Sequence, residues 1–160
     1  MATRRGQQAS GEPISVDLSK AIAMEPLPVP GPYLCMCTKM APGTSGSGGR
    51  KVDFEAQVTE PETVGIKNRK FFDSINLDNE YTLGRLQMVL KAFGISEDEL
   101  KNPNFQLSGE NFVGMPICIW AGLRHDETGQ YSDRNTIARV GNEAAYRAAV
   151  EAQTAAAPAP

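Results

Sequence analysis

A strict alternation of apolar and polar residues in the middle of the chain is the strongest constraint on its fold. The alternation runs through Val52, Asp53, Phe54, Glu55, Ala56, Gln57 and Val58. A period of two is typical of a β-strand that has one face in a core and the other toward solvent. The segment therefore predicts a half-buried strand, and Pro61 predicts where that strand ends.

Four more segments have the composition of strands, and a helix lies among them. The five predicted strands are residues 33–40, 52–58, 66–76, 113–124 and 130–140. Between the third and fourth strands, apolar residues recur at helical spacing and a C′ glycine follows them. These residues are Leu83, Leu86, Val89, Leu90, Phe93 and Gly94. Three strands, a helix and two strands make a mainly β protein with the order of a five-stranded OB-like barrel. A β-sandwich remains the alternative, because strand order alone does not fix a fold.

The two ends of the chain differ in composition from this central pattern. Residues 1–30 are rich in glycine and proline and predict a flexible N-terminal arm, of which only residues 14–24 are periodic enough to pack on the body. Residues 31–141 are the predicted OB-like domain. Residues 142–160 predict a short exposed helix followed, from residue 155, by a disordered Ala/Pro tail.

A Gly/Ser-rich segment, residues 41–50, lies between the first two predicted strands. It lacks the spacing of a phosphate-binding P-loop. Its composition predicts a mobile loop at the mouth of the barrel, where Arg50 and Lys51 would contact a ligand. A permissive linker is the simpler alternative.

Charge and hydropathy restrict where the protein works. The chain has 160 residues and a formal net charge of −3, which does not favour electrostatic binding of nucleic acid by the whole molecule but allows a local basic face. No apolar run approaches the roughly 20 residues of a membrane span, and no apolar segment of a secretion signal follows the basic N-terminus. We therefore expect a cytoplasmic protein without membrane contact.

Few residues are suited to catalysis or metal binding. The only histidine, His125, lies in a turn-like segment beside Asp126, where a solvated turn is the simpler interpretation. Cys35 and Cys37 do not have the spacing of a structural zinc site, and they fit better as small hydrophobic residues on one strand face. We expect no enzymatic activity, no metal and no cofactor.

Basic and aromatic residues on the outward parity of the predicted strands give the strongest functional signal. Lys70 and Phe72 are two residues apart on the third strand, and Trp120 and Arg124 lie on the fourth. Proteins that bind single strands combine cations that follow the phosphates with flat rings on which bases stack. The predicted nucleic-acid-binding residues are Lys39, Arg50, Lys51, Lys67, Arg69, Lys70, Phe72, Trp120, Arg124, Tyr131, Arg134 and Arg139.

A structural role is the alternative for the two rings. Phe72 and Trp120 could pack under the N-terminal arm or at an interface between copies of the chain. Each lysine or arginine taken alone is typical of a solvated surface, so only their grouping favours a binding site.

Four motifs resemble those of a family of phage proteins. They are Phe71–Leu77, Leu90–Gly94, Phe112–Ile117 and Tyr131–Ile137. In this order they resemble small phage proteins, long catalogued as a domain of unknown function, that are similar to phage single-stranded DNA-binding proteins with OB folds. The Gly/Ser loop is longer than in that family, and the chain ends in Ala-Pro repeats rather than in an acidic tip.

The resemblance implies sequence-tolerant binding of single-stranded DNA during phage replication or recombination, in the cytoplasm of the host cell. Candidate partners are then single-stranded DNA, further copies of the chain, and replication or recombination proteins. The alternative is a phage structural or assembly protein without nucleic-acid binding, which the net charge and the Pro-rich arm would suit.

Overall fold

In a computed structural model of the chain, five strands and three helices make up most of the described residues, which are 13–20, 25–130 and 133–156. The strands are β1 (Tyr33–Thr44), β2 (Arg50–Glu60), β3 (Lys70–Asn76), β4 (Pro116–Arg124) and β5 (Arg134–Gly141). The helices are α1 (Glu80–Ala92), α2 (Glu97–Lys101) and α3 (Glu143–Ala156). Short 3-10 turns occupy Leu18–Lys20 and Gly109–Phe112. The mainly β class and the position of α1 between the third and fourth strands confirm the prediction.

The strands form one antiparallel sheet in the order β3-β2-β1-β4-β5. The sheet curls so that β3 and β5, its two edges, approach each other, but no hydrogen-bonded ladder joins them. The sheet is therefore open, and the OB-like barrel remains a prediction.

The main hydrophobic core lies on the concave face of the sheet. Val52, Phe54, Ala56 and Val58 are each at most 1% exposed, so the alternation in β2 points into this core as predicted. Helix α1 covers the core with Leu86, Val89 and Leu90. The apolar side chains on one parity of the strands thus form the core, and the side chains on the opposite parity face away from it.

Local signals in the sequence set the ends of α1. The side chain of Asn79 accepts a hydrogen bond from the N–H of Tyr81 at 2.8 Å, which caps the first turn. Gly94 follows the helix with a φ of 101°, and the N–H of Ile95 returns to the carbonyl of Leu90 at 3.1 Å. Both ends agree with the helix predicted from the apolar spacing.

The C-terminal helix packs more closely than the sequence predicted. Tyr146 of α3 is only 4% exposed, and it packs with Leu34 and Cys118 on the convex side of the sheet, beside Trp120 and Val150. We call the part of the convex side that α3 covers, around Leu34 and Cys118, the covered face. The helix also continues to Ala156, so the prediction of disorder from residue 155 is wrong for residues 155–156. Residues 157–160 lie outside the described residues.

Three predicted strands begin too early, and one of them is β5, which begins at Arg134 rather than at residue 130. β3 begins at Lys70 rather than at residue 66, because Gly65 and Asn68 have φ angles of 86° and 71° and form a turn. β4 begins at Pro116 rather than at residue 113, because Gly114 has a φ of 90°. Ile66 and Met115, which precede β3 and β4, pack against the core without being part of either strand.

The predicted Gly/Ser loop is half as long as expected. β1 continues to Thr44, so only residues 45–49 connect it to β2. The hydroxyl of Ser45 accepts a hydrogen bond from the N–H of Gly49 at 3.0 Å, which closes a tight turn. Pro42 is compatible with β1 because β4 pairs only with residues 33–36, and an edge position does not require a donor.

The end of the predicted N-terminal arm packs on the sheet. Leu27 is 4% exposed, its N–H donates to Asn135 Oδ1 at 2.6 Å, and its carbonyl accepts from Asn135 Nδ2 at 3.1 Å. The N–H of Ala121 donates to the carbonyl of Pro30 at 2.7 Å. In the periodic stretch 14–24, the described side chains of Ile14, Val16 and Leu18 are exposed, whereas residues 21–24 lie outside the described residues.

Candidate nucleic-acid interface

The gap between the two sheet edges forms a cleft of about 560 Å³, which we call the β3–β5 cleft. Its walls are β3, the first half of β5 and the last residue of β4, and α1 contributes one side chain. The lining residues are Lys70, Phe72, Asp73, Ser74, Arg85, Arg124, Arg134, Asn135, Thr136 and Ile137. Four of them are basic and one is acidic, so the cleft has a formal charge of +3 in a chain whose net charge is −3.

Two arginines face each other directly across the β4–β5 ladder. Arg124 and Arg134 are Cα partners in the register of this antiparallel pair. Neither forms an ion pair with any residue that the structure describes. Like charges directly opposite each other destabilise a sheet, whereas an anion between two guanidinium groups would turn this repulsion into binding energy.

An exposed aromatic ring lies in the same cleft. Phe72 is 68% exposed, whereas its neighbour Phe71 is 2% exposed. This contrast follows from the period of two in β3, where Phe71 and Ile75 point into the core and Phe72 points away from it. The predicted parity of the two rings is confirmed. An exposed phenylalanine beside cations is a suitable surface for the face of a base.

An ion pair that the sequence analysis did not identify lies at the α1 side of the cleft. Arg85 Nη2 is 2.6 Å from Asp73 Oδ1 and 3.4 Å from the carbonyl oxygen of Ser74. The pair fixes the side chain of Arg85 against β3 while leaving it 48% exposed. One signal was present in the sequence. Asp73 shares the parity of Phe71 and Ile75, and a carboxylate on a core parity requires a partner.

Lys39 lies next to the cleft on the outer face of β1. It lines a shallow depression of about 170 Å³ together with Phe72, Ser74 and three acidic residues, and it forms no ion pair with a described residue. Lys70, in contrast, lies 3.6 Å from Glu55 Oε1. Glu55 also lies between Lys39 and Phe72 in the register of the sheet, so Lys39 is across β2 from the ring, whereas Lys70 is two residues along β3.

The other predicted cations lie along the first three strands and their connections. Each of them lies close to a carboxylate or to a backbone carbonyl group. Arg50 Nη2 lies 3.1 Å from Asp78, and the N–H of Arg50 helps to hold the pKa of that carboxyl below its ordinary value. Lys51 lies 3.3 Å from Asp53.

Two predicted cations, Lys67 and Arg69, lie in the turn before β3 rather than in the predicted third strand. Lys67 Nζ is 3.2 Å from Glu62 Oε1. Arg69 Nη1 donates to the carbonyl oxygen of Gly65 at 3.2 Å. Neither residue lines the β3–β5 cleft.

Trp120 belongs to a different part of the surface, whereas Arg139 also lines a small cavity of about 80 Å³ together with Arg85 of the cleft. The guanidinium carbon of Arg139 lies 4.3 Å from the centre of the Trp120 ring, and the ring packs against the covered face. Trp120 is therefore half-buried between a helix and a cation, apart from the β3–β5 cleft. Tyr131 lies outside the described residues.

The cysteines are buried in the sheet. Cys35, Cys37 and Cys118 are all free thiols, and burial raises the pKa of Cys118 to about 12 and that of Cys35 further. Such thiols stay protonated at neutral pH and are poor nucleophiles. Within residues 13–20, 25–130 and 133–156, no three histidine, cysteine, aspartate or glutamate side chains come together as metal ligands would.

Comparison with protein-family models found no match for this chain, and comparison with curated protein sequences found no similar protein. None of the helices in the described part of the chain has the length and apolar character needed to cross a membrane.

Proposed function

We propose that the protein binds single-stranded DNA in the β3–β5 cleft, without strong sequence preference, during phage DNA replication or recombination. The open sheet is, in this proposal, a partly open OB-like barrel whose unpaired edges form the walls of the ligand groove. The observation that supports it most is the direct opposition of Arg124 and Arg134, with no acidic partner among the described residues, in the same cleft as the exposed ring of Phe72.

Each part of the cleft has a physical role in this proposal. Arg124 and Arg134 bind consecutive phosphates, because guanidinium groups form charge-assisted hydrogen bonds with phosphate oxygens. Phe72 stacks on a base, and Lys70 on the same strand and Lys39 across β2 attract the backbone. Stacking needs no hydrogen-bond pattern, so every base is accepted.

The exposed ring favours single strands over duplexes. In a duplex the base faces are already stacked on each other, so Phe72 would have nothing to bind. The arginines would still attract duplex phosphates. The preference for single strands therefore depends on Phe72, and the salt dependence depends on the cations.

One observation favours the alternative, a structural or assembly protein. Ile14, Val16 and Leu18 are 85%, 64% and 74% exposed and alternate with polar residues. Such a segment could add a strand to another copy of the chain. An assembly role would place the binding energy in this segment and not in the cleft.

The test is a fluorescence anisotropy titration with a 20-nucleotide oligo-dT and with a duplex of the same length. Three or four phosphate contacts, at roughly 0.7 per contact, predict that affinity for oligo-dT falls about 20- to 50-fold between 50 and 200 mM salt. We expect the duplex to bind more weakly at both salt concentrations. No binding of oligo-dT at 50 mM salt would contradict the proposal. A large assembly in light scattering that disperses on Val16→Asp would then support the alternative.

A further inference from the structure

Tyr81, in the first turn of α1, is the most exposed aromatic side chain that the structure describes, at 90%. It has no role in the core, and no ring contact or ion pair involves it. Residues four apart lie on the same face of a helix, so Tyr81 lies on the face of α1 that carries Arg85. Arg85 is the one α1 residue that lines the β3–β5 cleft.

Hydrogen bonds fix this first turn to the end of β3. The hydroxyl of Thr82 donates to the carbonyl of Asn76, the last residue of β3. Asn79 caps the same turn through the N–H of Tyr81 at 2.8 Å. The position of Tyr81 relative to β3 is therefore set by the fold and not by a mobile loop.

The outer face of β3 leads from Phe72 toward Tyr81. Phe72, Ser74 and Asn76 share one parity and are all exposed. Four residues of strand span about 13 Å, so the ring of Phe72 lies roughly two nucleotide steps of about 7 Å from the end of β3. Arg85 lies between these two points, since it contacts Asp73 and the carbonyl of Ser74.

We propose that Tyr81 is a second stacking platform for single-stranded DNA, so that the bound strand runs along β3 from Phe72, past Arg85, onto α1. This inference rests on the proposed function of the β3–β5 cleft. It predicts that Tyr81 contributes only to ligands long enough to reach it. A dinucleotide contains one step between adjacent nucleotides. In an extended strand this step spans only about 7 Å, which is twice the stacked rise of 3.4 Å. A dinucleotide is therefore too short to contact both rings.

The experiment compares dT2 and dT12, with dT2 measured as a competitor of labelled dT12 and every variant checked by thermal melting. Tyr81→Ala is expected to weaken dT12 roughly 5- to 150-fold, the factor for loss of one stacked base, and to leave dT2 unchanged. Tyr81→Phe keeps the ring and should bind dT12 like the wild type. Tyr81→Leu keeps apolar area without an aromatic face and should resemble Tyr81→Ala. Phe72→Ala should weaken both ligands.

Three results would overturn the inference. They are wild-type affinity of Tyr81→Ala for dT12, wild-type affinity of Tyr81→Leu for dT12, and an equal loss on dT2 and dT12 for Tyr81→Ala. If Phe72→Ala still weakens binding in these cases, the β3–β5 cleft remains the site and only the extension to α1 is wrong. If the wild type binds neither ligand, the proposed function and the inference both fail.

Discussion

The covered face and the β3–β5 cleft both combine arginine with aromatic residues, but they use them in opposite ways. On and beside the covered face, Arg139 lies over the Trp120 ring at 4.3 Å and Arg147 lies over Tyr146 at 5.3 Å. In the cleft, Phe72 is 68% exposed and no ring contact involves it.

The difference lies in what covers each region. Helix α3 packs on the covered face, and Arg147 of this helix also binds Glu60 of β2 at 2.6 Å. No described helix packs across the outer side of Phe72. The same residue types therefore stabilise the fold in one region and remain available to a ligand in the other. Substitutions in the two regions should therefore have different effects on stability and on DNA binding.

Phe71→Ala should reduce the free energy of unfolding by roughly 3–5 kcal/mol, the usual cost of truncating a buried aromatic residue. The reason is that Phe71 is 2% exposed in the main core. Urea denaturation measures the loss, and oligo-dT affinity per folded molecule should not change. A stable Phe71→Ala protein that has lost DNA binding would show that Phe71, and not Phe72, faces the DNA.

Trp120→Ala should reduce the free energy of unfolding by roughly 2–3 kcal/mol, because the half-buried ring loses its packing against the covered face and its contact with Arg139. Oligo-dT affinity should stay within twofold of the wild type. A variant that melts normally but binds poorly would place Trp120 in the DNA site and break the separation of the two regions.

Phe72→Ala should have the converse effect, a loss of roughly 1–3 kcal/mol in oligo-dT binding with a change in stability of no more than about 0.5 kcal/mol. The matched control is Phe71→Ala, since the same atoms are removed one residue away on the other side of the strand. If Phe72→Ala binds normally, stacking on β3 is not part of the mechanism.

The sequence predicts which side chains face the core better than it predicts what covers the side chains that face away from it. The alternation from Val52 to Val58 and the parity of Phe71 and Phe72 follow from the period of a strand, so both were predictable. Phe72 and Trp120 looked equivalent because parity says only that a residue faces away from the core. Whether a helix then covers it depends on the path of α3, which only the packing of Tyr146 reveals.

The parity of Asp73 indicated that it needs a partner, but that this partner is Arg85 was not predictable, for a related reason. It joins a helix to a strand, and the rotation of a helix on a sheet is not encoded in local spacing. The pairing of Arg124 with Arg134 was easier to predict, since both residues flank the predicted turn His125–Gly129. The exact register of the two arginines nevertheless depends on the observed start of β5 at Arg134.

The contact between Glu60 and Arg147 gives the smallest effect, and it depends on pH. The hydrogen bond from Arg147 lowers the pKa of Glu60 below its ordinary value of 4.5. The stabilisation is therefore complete above pH 4.5 and is lost as the pH falls through the lower pKa of the folded state. Since solvent reaches both side chains, which are 54% exposed for Arg147 and 36% for Glu60, Glu60→Gln should lower the melting temperature at pH 7 by only about 1–2 °C. The two proteins should melt alike near pH 2, and an equal difference at both pH values would contradict this origin.

The central claim is that the unpaired arginines of the cleft bind DNA phosphates. Its most direct test is the salt dependence of oligo-dT binding for Arg124→Gln/Arg134→Gln and for Lys91→Gln/Lys101→Gln, which removes the same charge from α1 and α2, away from the cleft. The account predicts that the arginine variant binds at least about tenfold more weakly at 50 mM salt and that the slope of log affinity against log salt falls by about 1.4, for two lost contacts. The lysine variant should behave like the wild type. Equal losses in the two variants would mean that overall charge and not the β3–β5 cleft attracts DNA, and this result would contradict the account.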